Sequence, residues 1–436
     1  MPRLLIRPPD LEPIDIRCNV ADAIVANLAI HMVFFFERHL AVEPLARALS
    51  QALGAFPLFA GRMAPNLGRM RIRCEAQGVP LTSADSGRSL ADAIRSVASD
   101  HGGWLVHPVN ASAARWGWGP LCTVRVTHLA DGATAIGFSW HHVLGDMQTA
   151  MLFMNAWAAA AAGEPVAEPL IVEDRAAYLD RRLGPDGAPG PGVRCLGPGE
   201  TARSAVYLAK DARRQRTLTI CFNDDEIARM RLAYGHLTSV SPNDAVCAHV
   251  AEAVMRADPG VDRRTLAIPV NTRQRCGLDP MLLGNVITTL NLPIRRGEPA
   301  GAIAGRIRDA VDHFADRHSD MRANQQFFDG LGPLHAGRCV SVAFNPDRWT
   351  MLISNWSGFG VYRVRFEGAK PCYFTPVAKV PVAGLGALVD GVGGGGLMFQ
   401  ISLPPAEFEA LSRGAMGDYI HRFRTSAPPR QQWAVH

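Results

Sequence analysis

The chain of 436 residues exceeds the roughly 250 to 300 residues at which a single hydrophobic core stops growing, so we expect two domains. Hydrophobic residues make up 48% and charged residues 19% of the sequence, a globular composition that excludes extended disorder as the main state. The net charge of +5 comes from 45 basic and 40 acidic residues without a dense basic block, so we expect no nucleic-acid partner.

The N-terminus and the cysteines bear on the location of the protein. Charge and prolines interrupt the first residues, MPRLLIRPPDLEPID, where a signal peptide needs an unbroken apolar stretch. The apolar segment MVFFF is far shorter than the roughly 20 residues that span a bilayer. The nine cysteines are odd in number and show no C-x-x-C spacing, which favours a reducing compartment. We therefore expect a cytoplasmic protein with no membrane partner. We also expect it to be a monomer.

Helix and strand signals are mixed in the first half of the chain. Apolar residues in EPLARALSQALGAFPLFAGRM recur at helical spacing from Leu45 to Leu53, and Pro57 ends the pattern. LCTVRVTHLA and ATAIGFSW predict two strands joined by a hairpin turn at Asp131-Gly132. These signals together indicate an α/β structure.

A glycine- and proline-rich segment separates the two halves. Residues 183–204, LGPDGAPGPGVRCLGPGETARS, contain Gly and Pro too often for either helix or strand. The predicted division is therefore a first half over residues 1–183, a linker over 184–205 and a second half over 206–436.

The second half begins with a helix signal and ends with a hairpin signal. In SPNDAVCAHVAEAVMRA, Ser241 is the expected N-cap, Pro242 the first helical residue and Asp244 an acidic residue of the first turn. GALVDGVGGGGLMFQISL predicts two strands around a glycine-rich turn. No lysine followed by serine or threonine completes the four-glycine run 393–396, so we expect a hairpin there and not a phosphate loop.

The stretch GFSWHHVLGDMQTA, residues 137–150, is the first candidate for chemistry. A strand ends at Trp140, a turn follows at Gly145, and Asp146 stands where the N-cap of the next helix belongs. The turn keeps His142 and Asp146 from sharing a helix face, and no second ligand cluster is present, so we expect no metal. A histidine at a strand end also suits a general base, because its ordinary pKa is about 6.5. The residues alone leave the capping and catalytic interpretations open.

Two further stretches carry candidates. In IPVNTRQRCGLDPMLLGNVITT, Arg273 and Arg275 alternate as on a solvated strand face, yet a guanidinium is also the best partner for a buried carboxylate such as Asp146. In SNWSGFGVYRVRFEGAKP, Trp356 is typical of a core residue, while the small Ser354 and nearby glycines let a ligand approach the backbone.

The order of these motifs resembles that of the BAHD acyltransferase family over nearly the whole chain. The matching elements are H-H-x-x-x-D at His142, the Ser-Pro-Asn-Asp helix start, V-N-x-R-x-R with Gly-Asn at 284–285, Ser-x-Trp at 354–356 with Lys-Pro at 370, and V-D-G near 390. The resemblance implies a chloramphenicol-acetyltransferase-like fold of two α/β domains with a channel between them. The segment 184–205 then corresponds to the crossover loop of that architecture.

The resemblance also implies roles for site residues. The implied catalytic set is His142, Asp146, Ser354 and Trp356, supported by His141, Gly145, Arg273 and Asn285. His142 matches the family's catalytic histidine and is expected to act as general base, while Asp146 anchors the loop through Arg273. Ser354 and Trp356 fall at or near the positions that stabilise the oxyanion.

The implied reaction moves an acyl group from acyl-CoA, a co-substrate, to a hydroxyl or amine of a small specialised metabolite. We expect no tightly bound cofactor, assign no residue to donor binding, and expect direct transfer in a ternary complex. The family signature D-F-G-W-G aligns with residues 365–369, where only Phe366 and Gly368 remain, which indicates a bacterial or divergent member. Three alternatives stay open: a donor carried by an acyl carrier protein, another reaction such as cyclisation or elimination, and a silent binding module.

Overall fold

The computed structural model describes residues 3–9, 12–64, 70–100, 102–183, 190–211, 214–235, 239–314, 320–344, 350–377 and 382–425. The strands are β1 Arg3–Ile6, β2 Ile14–Arg17, β3 Ala29–Phe36, β4 Arg62–Ala64, β5 Arg71–Cys74, β6 Val79–Asp85, β7 Cys122–His128, β8 Thr134–His141, β9 Val193–Cys195, β10 Arg216–Phe222, β11 Arg263–Asn271, β12 Ile287–Arg295, β13 Cys339–Ser341, β14 Met351–Asn355, β15 Tyr373–Pro376, β16 Leu385–Asp390 and β17 Leu397–Leu403. The helices are α1 Val20–Ile24, α2 Val42–Ala55, α3 Leu90–Asp100, α4 Ala111–Arg115, α5 Met147–Ala162, α6 Arg175–Leu183, α7 Pro198–Asp211, α8 Asp224–Tyr234, α9 Pro242–Ala257, α10 Ala300–Asp312, α11 Met321–Asp329, α12 Pro333–Ala336, α13 Pro405–Ser412 and α14 Gly414–Ile420.

The first half is built on a mixed sheet with strand order β1-β6-β7-β8-β3-β15. Strand β8 is buried at every residue, because it lies between β7 and β3 and both faces of the sheet are covered. Phe138 on β8 packs against Phe153 on α5 at 5.7 Å between ring centroids. Trp157 on the same helix donates through Nε1 to the carbonyl of Leu45 on α2 (2.9 Å). Helices α2 and α5 therefore form the outer layer of this half.

The second half is built on a sheet with strand order β10-β17-β16-β14-β11-β12. Strands β11, β14 and β16 run parallel to one another, and the remaining pairings are antiparallel. Helix α9 packs beneath this sheet with twelve buried residues, because its apolar positions recur all round the helix. Two sheets, each with its own helices and core cluster, confirm the predicted two-domain α/β architecture.

One strand of the second half completes the sheet of the first. Strand β15 pairs antiparallel with β3, with Tyr373 opposite Phe35 and Pro376 opposite Met32. Pro376 ends the strand at the sheet edge, where its missing N–H removes no ladder bond. The sequence pattern does not predict this exchange, because residues 373–376 come far after the linker. The boundaries at 183 and 206 themselves stay a prediction.

The expectation that residues 183–204 contain neither helix nor strand is wrong for the described part, Leu183, which ends α6, and residues 190–204. Strand β9 pairs with β13, and α7 begins at Pro198. Proline fits the first turn of a helix, because the N–H it lacks has no intrahelical partner there. Glu200 then accepts a hydrogen bond from the backbone N–H of Gly197 (3.0 Å). This contact stabilises the start of the helix despite the low helix propensity of the nearby glycines. Residues 184–189 lie outside the described residues.

Several local predictions are confirmed. Ser241 caps α9, and its hydroxyl and the Asp244 carboxylate form reciprocal hydrogen bonds with each other's backbone N–H. Strands β7 and β8 form the hairpin, with Gly132 in the left-handed region (φ 80°). Strands β16 and β17 form the last hairpin, and the four-glycine run lies in its turn.

Candidate active site

The strand, turn and helix around residues 137–150 are built as the sequence predicts. Strand β8 ends at His141, a single 3-10 turn covers His142–Leu144, and Asp146 caps α5 by accepting from the backbone N–H of Thr149 (3.1 Å). Gly145 has a φ of 155°, and a Cβ there would lie 2.5 Å from Cβ of Thr149. Only glycine therefore allows the turn to pass this close to the first turn of α5.

His141 supports the turn and is fully buried. Its Nδ1 accepts from the backbone N–H of Val143 (3.1 Å), and its Nε2 lies 3.3 Å from the carbonyl of Ala111. Because an amide N–H only donates, these two contacts require the tautomer with the proton on Nε2. Burial lowers the pKa of His141 to about 4, so the ring is neutral near pH 7.

His142 keeps part of its surface accessible, although its Nδ1 is fully buried and has no hydrogen-bond partner among the described residues. Burial is the main influence on this imidazole and lowers its pKa below the ordinary value. Its own backbone carbonyl, the Asp146 carboxylate, the Asn285 amide and the Asp22 carboxylate act in the opposite direction. The net effect is a neutral imidazole at neutral pH, the form that accepts a proton.

Asp146 and Arg273 form the buried ion pair that the sequence resemblance implies. The two guanidinium amino groups reach the two carboxylate oxygens at 2.7 and 3.2 Å. The backbone N–H groups of Thr149 (3.1 Å) and Val286 (3.1 Å) supply the other donors to this carboxylate. Four donors fill the lone pairs that a carboxylate offers. Asp146 therefore has no lone pair left for the imidazole of His142.

Arg273 is fully buried and follows β11, where it bridges the two halves. Its Nε donates to the carbonyl of Leu282 (2.9 Å), and its amino groups reach the Asn271 side chain (3.2 Å) and the carbonyl of Gly284 (2.9 Å) besides Asp146. A buried guanidinium with every N–H paired retains its charge without an exposed surface. Arg275 is exposed, so the interpretation that these arginines lie on a solvated strand face holds for Arg275 and not for Arg273.

A second buried ion pair, which no motif in the sequence predicts, holds the other side of the turn. Arg175, at the start of α6, donates to Asp22 (3.0 Å) and to the carbonyls of Val143 (2.9 Å) and Leu144 (3.2 Å). Asp22 is fully buried and also accepts from the backbone N–H of Asn19 (3.0 Å). Residues 22 and 175 have no motif spacing, so the only available signal was an acidic residue three positions after an N-cap asparagine.

Asn285 connects this second ion pair to the histidine turn. Its Nδ2 donates to Asp22 (2.8 Å) and to the carbonyl of His142 (2.7 Å), while its Oδ1 is buried without a partner among the described residues. Gly284 precedes it with a φ of 127°, and a Cβ there would lie 3.0 Å from the Arg175 guanidinium. The Gly-Asn pair thus fits between the two buried arginines because the first residue has no side chain.

Ser354 and Trp356 form a separate pair on and after β14. The Trp356 indole Nε1 donates to Ser354 Oγ (2.9 Å), and the indole is 8% exposed within the apolar cluster of the first half. The indole N–H is therefore already committed, and the Ser354 hydroxyl proton is the donor that remains. Among the described residues, no hydrogen bond joins this pair to the histidine turn.

The inner faces of the two sheets meet next to these residues. Gln400 on β17 donates through Nε2 to Thr375 Oγ1 on β15 (3.1 Å), and Tyr373 OH donates to Met398 Sδ (3.4 Å). The face that carries Tyr373 and Thr375 is thus directed toward the second sheet. Phe374 on the opposite face packs against Phe34 at 4.9 Å.

Ser354 lies on the inner face of the second sheet. Ser354, Ala387 and Gln400 are direct neighbours across β14, β16 and β17, so their side chains share that face. All three keep accessible surface, whereas Ile353 and Leu388 on the opposite face are fully buried. The row is therefore a partly accessible part of that face.

Metal and membrane features are also tested by the structure. In the described ranges, no group of three or more His, Cys, Asp or Glu side chains has an arrangement that would hold a metal ion. Within the same ranges, every helix is too short or too polar to cross a bilayer.

Known proteins share this fold. Vinorine synthase superimposes with a TM-score of 0.71 at 18% identity, covering 94% of this chain and 95% of that one. The F. graminearum TRI101 structure with coenzyme A and T-2 mycotoxin has a TM-score of 0.72 at 14% identity, covering 93% and 98%. Anthranilate N-benzoyltransferase protein 1 of Dianthus caryophyllus is 28% identical over 363 residues, 78% of this chain and 77% of that protein. The two structures confirm the chloramphenicol-acetyltransferase-like fold.

The family assignment rests on a longer match. The model of the Transferase family matches residues 15–415. This range contains both buried ion pairs, the histidine turn and the Ser354–Trp356 pair. Because the match spans most of the chain, the protein belongs to the Transferase family and is an acyltransferase of the BAHD type.

Proposed function

We propose that His142 is the general base of an acyl transfer from acyl-CoA to a hydroxyl or amine of a small specialised metabolite. The observation that carries this proposal is a neutral, partly accessible imidazole at the end of a buried strand, on a turn fixed by two buried ion pairs. Such a turn fixes the position of the imidazole ring and leaves one ring nitrogen free to accept a proton. The CoA in the TRI101 structure supports the choice of donor.

Asn285, and not Asp146, is the residue we expect to orient the imidazole. The Asp146 carboxylate is filled by other donors, whereas Asn285 Oδ1 and His142 Nδ1 are both buried and unpartnered among the described residues. An Nδ1–H directed toward this amide oxygen would satisfy both groups. The same tautomer leaves Nε2 unprotonated, and Nε2 is then the atom that receives the acceptor's proton.

The reaction then runs without a covalent acyl-enzyme. The acceptor oxygen or nitrogen forms a bond to the thioester carbonyl carbon while its proton passes to His142 Nε2. Ser354 Oγ–H, held by the Trp356 indole, donates to the oxyanion of the tetrahedral intermediate. Collapse of that intermediate breaks the carbon–sulfur bond, and the proton on His142 neutralises the departing CoA thiolate.

A channel between the two sheets, which the family resemblance implies, is the expected path for both substrates. Gln400, Ala387 and Ser354 border it from the second half, and the histidine turn belongs to the first half. A metabolite that enters this space contacts side chains of both halves at once. A cytoplasmic monomer stays our expectation from the sequence, and light scattering of the purified chain tests the monomer.

Release of free thiol tests the function directly. The purified chain is incubated with benzoyl-CoA and, separately, with a benzoyl carrier-protein thioester, each with a panel of alcohols and amines. We expect acceptor-dependent thiol release from the CoA thioester in the native chain and its loss in His142→Ala. The matched control is His39→Ala, which changes an exposed histidine. Release from the carrier thioester alone would overturn the CoA donor, and no release from any donor would favour a silent binding module.

A further inference from the structure

A two-stranded ladder ties the segment between the halves to the second half, and the proposed reaction does not use it. Strand β9, Val193–Cys195, pairs antiparallel with β13, Cys339–Ser341. In the register of this ladder, Cys195 lies directly opposite Cys339. Both are free thiols in the structure. The ladder therefore places two cysteines face to face that are far apart in the chain.

The hydrogen bonds at the two ends of the ladder identify the kind of pair that the cysteines form. The backbone N–H of Leu196 donates to the carbonyl of Arg338 (3.0 Å), and that of Val342 donates to the carbonyl of Gly192 (2.9 Å). Hydrogen-bonded and non-hydrogen-bonded pairs alternate along an antiparallel ladder. Because the cysteine pair is the next pair after Leu196 and Arg338, it is of the non-hydrogen-bonded kind.

This kind of pair brings the two thiols within bonding reach. Non-hydrogen-bonded partners have Cα atoms about 4.5 Å apart and the shorter of the two side-chain separations. Disulfides form across Cα separations of about 4.4–6.8 Å. The Cys195 thiol also donates to the carbonyl of His335 (3.6 Å), on the chain that leads into β13. Side-chain rotation alone can therefore bring the two sulfurs together, with the backbone in place.

The two thiols differ in exposure and in acidity. Cys195 keeps part of its surface accessible, whereas Cys339 is 5% exposed. Burial, and to a smaller extent Cys195, raises the pKa of Cys339 to about 11. The thiolate is the attacking form of a cysteine, so Cys195 is the residue that meets a reagent from solvent. Cys339 is then the residue that completes the bond.

We propose that Cys195 and Cys339 are a redox modification site, at which a low-molecular-weight disulfide of the glutathione class converts the two thiols into one reversible protein disulfide. The Cys195 thiolate attacks one sulfur of the reagent, forms a mixed disulfide and releases one small thiol. Cys339 then loses its proton and attacks the Cys195 sulfur, which releases the second small thiol. Two protein thiols are oxidised in this exchange, and one small disulfide is reduced to two thiols.

The bond fastens the segment between the halves next to the support of the histidine turn. Cys339 packs with Val20 and Val193 in one apolar cluster. Val20 begins α1, and its backbone N–H donates to Gln325 Oε1 (2.9 Å). Asp22, two residues further along α1, belongs to the ion pair that holds the turn. Oxidation therefore stabilises the region behind the turn. The proposal does not rest on the proposed acyl transfer.

Peptide mapping of the full chain under non-reducing conditions tests the site. The reduced chain is incubated with oxidised glutathione, the remaining thiols are alkylated, and linked peptides are identified by mass spectrometry. We expect Cys195 linked to Cys339, and dithiothreitol should reverse the link. Cys339→Ser should stop at the mixed disulfide of Cys195 with glutathione, because the second attack is missing. Cys276→Ser, at another partly accessible cysteine, is the matched control and should leave the link unchanged.

Thermal unfolding tests the stabilisation. The disulfide closes a long loop of chain, so the oxidised protein should melt about 3–10 °C above the reduced protein. Cys195→Ser should show no such difference between the two treatments. Three results would overturn the proposal: a native chain that stays reduced or stops at the mixed disulfide, a link from Cys195 to another cysteine, or equal melting temperatures of the oxidised and reduced forms.

Discussion

Two buried ion pairs hold the turn that carries His142, and they do so in different ways. Asp146 and Arg273 join the first turn of α5 to the chain after β11, and thus connect one half of the protein to the other. Asp22 and Arg175 both belong to the first half, and the arginine binds carbonyls of the turn itself. The first pair therefore fixes where the helix begins, and the second fixes the path of the backbone before it.

The two ion pairs also differ in whether their aspartate belongs to a recognisable sequence motif. The aspartate of H-H-x-x-x-D is the more noticeable in sequence, yet its carboxylate is filled by donors other than the histidine. Asp22 is part of no motif, yet through Asn285 it reaches the histidine's own carbonyl. Proximity in sequence to a catalytic residue is thus a poor guide to which group orients it.

The largest expected effect comes from removing the imidazole while leaving both ion pairs intact. His142→Ala should lower kcat/KM about 1,000-fold, within the range typical of a lost general base. The melting temperature should stay within a few degrees of the native value, because the change removes only the Nδ1 contact with Asn285 Oδ1 and leaves both ion pairs that fix the turn. Thiol release and thermal unfolding measure the two quantities. A fully active variant would contradict the assignment of His142 as base.

Breaking the ion pair that joins the two halves should act mainly on stability. Arg273→Leu leaves Asp146 buried and unpaired, so we expect the free energy of unfolding to fall by about 3–5 kcal/mol. Denaturant unfolding measures the loss, with Arg275→Leu as the matched control at an exposed arginine two residues away. Equal losses in the two variants would contradict a stabilising role of the buried pair beyond that of an exposed arginine.

A variant distant from both ion pairs should act mainly on the rate. Ser354→Ala removes the donor that we assign to the oxyanion, and kcat should fall about 100-fold. KM should change little, whereas the free energy of unfolding should fall by about 1–3 kcal/mol, because the buried Trp356 indole N–H loses its acceptor. Ser357→Ala, on the loop after β14, is the control. Retention of native kcat in Ser354→Ala would remove this residue from the mechanism.

The smallest expected effect is a shift in the pH dependence of kcat/KM when either of the two carboxylates is neutralised. Burial places the pKa of His142 below 6.5, so kcat/KM should hold on the alkaline side and fall only as pH drops through that lowered pKa. Asp146 and Asp22 both raise this pKa, Asp146 more than Asp22. Asp146→Asn and Asp22→Asn should therefore move the acid limb to lower pH, the first further than the second. Profiles of kcat/KM against pH measure the shifts, and movement toward higher pH would contradict the sign.

Local signals in the sequence predict most single elements, whereas the Asp146–Arg273 contact is implied by the family resemblance. Ser241, Pro57 and Gly132 mark helix and turn boundaries by backbone chemistry that needs no tertiary context. The Asp22–Arg175 pair escapes prediction because both residues are ordinary surface types whose burial depends on distant packing. The helix that begins at Pro198 also escapes prediction. The many glycines around it argue against a helix, and the only local signal for one is the single capping contact of Glu200.

The exchange of β15 has a consequence for how the chain folds as it is synthesised. The sheet that holds His142 lacks its last strand until residue 376 has left the ribosome, far behind β3 at residues 29–36. Until then β3 presents an unpaired edge rich in phenylalanine, a surface that invites association with other chains. Contacts of such sequence separation also slow folding. Expression of residues 1–183 alone is therefore expected to yield an aggregation-prone fragment.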